Sequence, residues 1–235
     1  AGRRRSGGAG GAGGTVQLDE RARADAWSLY WLPVLRHLSH TCRDSRSDVR
    51  NAAMMILQRT LLSADLLALG PHGWYSCFEH VLFPLSDELL KPAAEVIGPT
   101  EAPSMTATLA SFIAGAERGG NPLEETRLRA AALLCKIFLH YASTTRASPE
   151  FNALWRRVLL YVERYIRAED SELLAEAVPE SLKNILLVMN DSDILRAPRA
   201  DAPDADADEL WRVTWSTVRS FSPNLTPDFL DQFRG

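Results

Sequence analysis

The chain has 235 residues, 46% of them hydrophobic, which is enough for a continuous buried core, and 26 Lys and Arg against 30 Asp and Glu leave a net charge of -4. That balance is far from the basic total that duplex nucleic acid selects for, so no nucleic-acid partner is expected. No apolar run approaches the roughly 20 residues of a membrane span and no hydrophobic N-terminal stretch reads as a signal peptide, while Cys42, Cys77 and Cys135 lie far apart in apolar helical surroundings; together these predict buried, reduced thiols in a cytoplasmic protein.

Residues 1–14 hold seven of the fourteen glycines together with Arg3, Arg4 and Arg5, so a disordered Gly/Arg-rich tail is expected over 1–16. From Leu18 onward apolar residues recur at three- and four-residue steps, and no stretch alternates as a half-buried strand does, so the fold class is all-α. A first helix over about 18–40 places Trp27, Trp31, Val34, Leu35 and Leu38 on one face. A second, over about 46–64, does the same with Val49, Ala52, Ala53, Ile56, Leu57 and Leu61, with Ser45 or Ser47 as its cap. Trp74, Phe78, Val81, Leu82, Leu85 and Leu89 make a third face. Asn121, Pro122 and Glu124 open a helix through Leu134, Phe138 and Tyr141; Ser148 and Pro149 open another through Trp155, Val158 and Val162. Asp170 or Ser171 caps the helix of Leu174, Val178 and Ile185, Trp211 and Trp215 mark a later one, and Thr226 with Pro227 starts a short last one.

Laying Asp48-Val49-Arg50 over Glu125-Thr126-Arg127 and over Glu172-Leu173-Leu174 gives offsets of 77 and 47 residues. The second lies within the roughly 40 to 47 residue period of HEAT and armadillo units. The first fits if an insertion is present, and the Pro- and Gly-rich stretch 92–120 supplies one. The expected architecture is therefore a HEAT/armadillo-like helical-repeat solenoid of about three helix pairs plus terminal helices over 17–235, with an acidic linker at about 197–208. Pro33, Pro84 and Pro179 fall inside helical patterns, where each removes a backbone hydrogen bond and is expected to bend its helix.

A catalytic centre does not assemble from these residues. His37, His40 and Cys42 are the one close group of metal-ligand types and lack a fourth ligand at a zinc spacing, and Gly7 to Gly14 has neither the preceding strand nor the following Gly-Lys step of a phosphate loop. Cys77 and His80 are three apart on one helix, but Cys77 is flanked by Trp74, Phe78 and Val81, a setting that raises a thiol pKa. Glu124 with Glu125, and Glu169 with Asp170, sit at helix starts, where acids oppose the helix dipole. No cofactor is expected. The one surface feature is Arg156, Arg157, Arg164 and Arg167, which recur along the fifth helix as a basic stripe about 15 Å long by the helical rise. Such a stripe suits acidic lipid headgroups or an acidic partner; with Glu163 interrupting it, an ordinary solvated face with local ion pairs is the alternative.

Several stretches carry a resemblance: Trp31-Leu32-Pro33-Val34-Leu35, Asp48-Val49-Arg50, Leu57-Gln58-Arg59-Thr60-Leu61-Leu62, Trp74-Tyr75-Ser76-Cys77-Phe78, Val81-Leu82-Phe83-Pro84-Leu85, Glu124-Glu125-Thr126-Arg127-Leu128-Arg129-Ala130 and, most specific, Pro179-Glu180-Ser181-Leu182-Lys183-Asn184-Ile185-Leu186-Leu187-Val188-Met189. Over about 25–225 they resemble the homology-downstream regions in the C-terminal half of the Golgi-specific brefeldin A-resistance family of ARF guanine-nucleotide exchange factors. The resemblance implies a non-catalytic regulatory or membrane-targeting segment, whose parent loads ARF with GTP at the cis-Golgi for COPI vesicle transport through a separate Sec-seven domain. It also implies other domains of the parent, the Golgi membrane surface or Golgi-resident proteins as partners, ARF through the parent, and a cytoplasmic location peripheral to Golgi membranes. A generic HEAT-repeat protein-binding scaffold unrelated to ARF is the rival reading.

Overall fold

The computed structural model describes residues 22, 24–63, 66, 69–96, 123–168, 171–198 and 204–231. Among them there is helix and no strand. The expected tail 1–16 and residues 97–120 of the expected insertion lie outside the described residues, as do Asn121, Pro122 and Asp170.

Helix α1 begins as a π turn, Trp27–Trp31, and continues as Leu32–Thr41; α2 is Ser47–Leu61. Helix α3 runs Pro71–Cys77, passes through a second π turn, Phe78–Leu82, and ends as Phe83–Leu89. A single turn, α4, spans Ala93–Val96. Then come α5 (Glu124–Thr145), α6 (Phe151–Ile166), α7 (Glu172–Asp191), α8 (Ala205–Phe221) and the short α9 (Asp228–Asp231).

The pairs α1/α2, α3/α5 and α6/α7 pack as hairpins, and equivalent members stack: α1 on α3 and α6 on α8 in one layer, α2 on α5, α5 on α7 and α7 on α9 in the other. Side chains join α3 to α6 as well, with Phe83 and Tyr161 stacked at 4.8 Å. This is an all-α helical-repeat solenoid. Its core is one continuous apolar cluster from Trp27 to Leu230, so each pair buries its inner face against its neighbours.

The prolines explain the two π turns. Pro33 and Pro84 cannot donate a backbone hydrogen bond, and in each case the residue just before the proline donates five residues back, Leu32 to the Trp27 carbonyl and Phe83 to the Phe78 carbonyl. Pro179 lies within α7 with no such turn. Because a π turn spends more residues per revolution, it rotates the helix beyond it. Leu35 comes to the centre of the buried face at 0% exposure, and Val34, expected inside, is carried out to 51%. Ile56, Leu173 and Val188 also face outward, at the margins of their apolar arcs.

Caps agree with the expectation in part. The Ser171 hydroxyl accepts from the Leu174 N–H at 3.1 Å, as expected. Neither Ser45 nor Ser47 caps α2, whose N-cap is Arg46; the Asp44 carboxylate takes the Arg46 N–H instead. Of the expected linker 197–208, residues 199–203 lie outside the described residues; beyond them the Asp204 carboxylate accepts from the Ala207 N–H and α8 begins at Ala205, with Asp206 and Asp208 in its first turn.

Candidate interaction surfaces

Two sets of arginines organise the surface and the joints between repeats. The first set is buried. Arg50 and Arg127, in the first turns of α2 and α5, are 3% and 5% exposed and occupy equivalent positions in successive pairs. Arg50 donates to the carbonyls of Asp44 and Ser45 at 2.8 and 2.9 Å and to the Thr126 hydroxyl at 3.2 Å. Arg127 donates to the carbonyls of Leu89 and Lys91, both at 2.6 Å. Each guanidinium thus closes off carbonyls left open where the preceding helix of its pair ends or turns into the loop. Burial lowers the pKa of both from the ordinary arginine value, yet a guanidinium starts so high that both stay charged at neutral pH. The third pair has Leu174 at the matching position, fully buried, so the joint there is apolar.

The second set is the row on α6, and the structure parts it in two. Arg157 and Arg164, seven apart, face α3: Arg157 pairs with Glu79 and sits over the Phe83 ring at 4.2 Å, and Arg164 pairs with Asp87. Tyr161, between them, donates to the same Asp87 carboxylate at 2.9 Å. Arg156 and Arg167 face α8: Arg156 pairs with Glu209, and Arg167 donates to the Ser220 carbonyl at 3.3 Å while pairing with Glu163 on its own helix at 2.9 Å. Residues seven apart share a face and adjacent ones do not, so 156 and 157 point to different neighbours. Every charge of the row meets a carboxylate of the chain.

The other candidates resolve into packing. Burial pushes the Cys42 and Cys135 thiols up to about 12 and raises Cys77 further, so none is a nucleophile at neutral pH. Cys77 is wholly buried beside an exposed His80. His37 Nδ1 lies 3.0 Å from the Pro33 carbonyl, and among the described residues no group of three or more His, Cys, Asp or Glu could hold a metal. Trp27, Trp74, Trp155 and Trp215 are core; Trp31 and Trp211 are partly covered.

One flank stays apolar and uncovered. On α1, Leu29 and Tyr30 are 66% and 69% exposed beside Val34, and on α2 Met55 and Ile56 are 67% and 49% exposed. Single exposed apolar residues are ordinary, but five on the two helices of one pair are more than scattered exposure calls for, and a stacked neighbour is what covers such residues in a solenoid. Among the described residues no helix is long and apolar enough to cross a membrane.

Residues 31–225 match the model of the GBF1-like tetratrico peptide repeat region. The chain belongs to this family. Both this repeat class and the HEAT class suggested by the sequence period are solenoids of antiparallel helix pairs. The chain is 35% identical over 205 residues, 86% of its length, to the Golgi-specific brefeldin A-resistance guanine nucleotide exchange factor 1 homolog of Caenorhabditis elegans, and 34% identical over 199 residues, 83% of its length, to the ARF guanine-nucleotide exchange factor GNOM of Arabidopsis thaliana. It spans only 9% and 12% of those two relatives. No solved structure matches it.

Arg50 and Arg127 are the structural residues that sequence reasoning misses. Their signal is present in the repeat itself, an arginine in the same register of two successive units.

Proposed function

We propose that this chain is a non-catalytic helical-repeat segment of a large ARF guanine-nucleotide exchange factor, serving its parent as a regulatory scaffold. The observation that carries the reading is the match to the GBF1-like repeat region, taken with relatives named as exchange factors of which the segment makes up about a tenth. In this reading GDP-to-GTP exchange on ARF resides elsewhere in the parent, which acts at the cis-Golgi in COPI transport as a cytoplasmic protein peripheral to the membrane. The segment contributes position. Its apolar edge at Leu29, Tyr30, Val34, Met55 and Ile56 supports docking onto neighbouring helices of the parent, since a solenoid buries its core only by continued stacking. The α6 arginines are engaged within the chain, and anionic lipid would have to compete with four carboxylate contacts already made.

The test is nucleotide exchange on ARF monitored with a fluorescent GDP analogue, run with the isolated chain, the parent and the parent lacking residues 31–225. The chain alone is expected to leave the rate unchanged. The shortened parent is expected to keep exchange in solution and to lose its Golgi recruitment in cells. Acceleration by the chain alone, or normal recruitment without the segment, contradicts the proposal.

A further inference from the structure

Helix α8 carries a groove of about 730 Å³ on the side that also meets Pro198, after α7, and Pro227, before α9. Its wall is aromatic: Trp211 and Trp215 pack edge to face at 5.5 Å, and Trp215 leans on Phe229 at 6.1 Å. Its basic groups differ from those of α6. Arg212 and Arg219 line the groove, are exposed, and make no hydrogen bond or ion pair among the described residues, whereas the arginines of α6 are all engaged.

We propose that this groove binds an extended acidic peptide. Two arginines seven residues apart on a helix are separated by about 10 Å along its axis. A peptide in the polyproline II conformation covers that distance in about three residues and returns to the same side every third residue, so carboxylates at positions i and i+3 reach both guanidiniums. The intervening apolar residues lie on Trp211. Asp208 and Glu209 line the groove about one turn before Arg212, with Glu209 held by Arg156. They set the peptide's direction and repel a uniformly anionic surface, which favours a peptide over lipid headgroups. Aromatic anchoring with charge-assisted hydrogen bonds at the edges is the usual economy of such sites. The inference rests on α8 and its surroundings alone and stands independently of the ARF reading.

The test is fluorescence anisotropy of the full chain with a fluorescein-labelled peptide containing Glu-Leu-Pro-Glu, against the same peptide with both glutamates replaced by lysine and against vesicles containing phosphatidylserine. Expected are saturable micromolar binding of the acidic peptide alone, a shift of tryptophan emission, and at least a tenfold loss of affinity in R212E/R219E. Both arginines are exposed, so helicity is expected to be unchanged by circular dichroism; R212Q/R219Q serves if the double reversal unfolds. Absence of acidic-peptide binding, equal binding of the lysine peptide, or binding to the vesicles in its place overturns the proposal.

Discussion

The arginines at the starts of α2 and α5 and those along α6 have the same side chain and opposite settings. Arg50 and Arg127 are enclosed and bond to backbone carbonyls, which cannot move away without unwinding a helix end. Arg156, Arg157, Arg164 and Arg167 keep 39% to 60% of their side chains exposed and pair with carboxylates that water can replace. Charge density along the sequence singles out the second set; burial singles out the first. The energetic consequence is the reverse of what the charge pattern suggests, because a buried guanidinium leaves unsatisfied groups behind when removed and an exposed pair leaves solvated ones.

The sharpest way to break this comparison is Arg127→Ala. It orphans the Leu89 and Lys91 carbonyls and opens a cavity beside Leu89, and is expected to cost about 2 to 4 kcal/mol in urea unfolding. A loss no larger than that of a surface arginine would show that the joint between α3 and α5 does not depend on it. Next in size, Tyr141→Phe removes a buried bond of 2.8 Å from the Tyr141 hydroxyl to the Leu61 carbonyl, another tie between equivalent helices, and is expected to cost about 1 kcal/mol. Arg157→Ala combined with Arg164→Ala is expected to cost less than about 1 kcal/mol despite removing two ion pairs, since both are substantially solvated.

The smallest effect is one of pH and is local to α8. The bond from the Ala207 N–H, and then Arg196, hold the Asp204 carboxyl below the usual carboxylate range. A group with a depressed folded pKa contributes stability above its unfolded pKa, about 4, and that contribution is lost as the pH falls through the folded value. The Ala207 amide resonance is therefore expected to hold steady from neutral pH to about 5 and to move only in stronger acid. An unchanged amide down to the acid limit of the fold would remove Asp204 as the cap.

Much of the fold is readable because core positions on α3 and α6, such as Trp74, Phe78, Trp155 and Val158, repeat with the helical period over several turns. The departures have local causes. The π turns depend on a proline two residues further on, and their effect on Val34 is a rotation that an ideal helical wheel omits. Apart from Glu163, which pairs with Arg167 on the same helix, the partners of the α6 arginines lie 53 to 78 residues away in the chain, at Glu209 and Glu79 among others, and nothing in the local pattern says which carboxylates will arrive. Arg50 and Arg127 are visible as a repeat and not as buried groups, because the carbonyls that receive them exist in every sequence and mark none.

That the α6 arginines are engaged within the chain is tested most directly by flotation with vesicles of neutral lipid and of lipid containing phosphatidylserine, at low and at physiological salt, comparing the natural chain with Arg157→Glu combined with Arg164→Glu. The natural chain is expected to gain no salt-sensitive retention on the anionic vesicles, and the substituted chain to behave the same. Retention on anionic vesicles that salt weakens and the two substitutions abolish would contradict it, and would make the row a membrane surface.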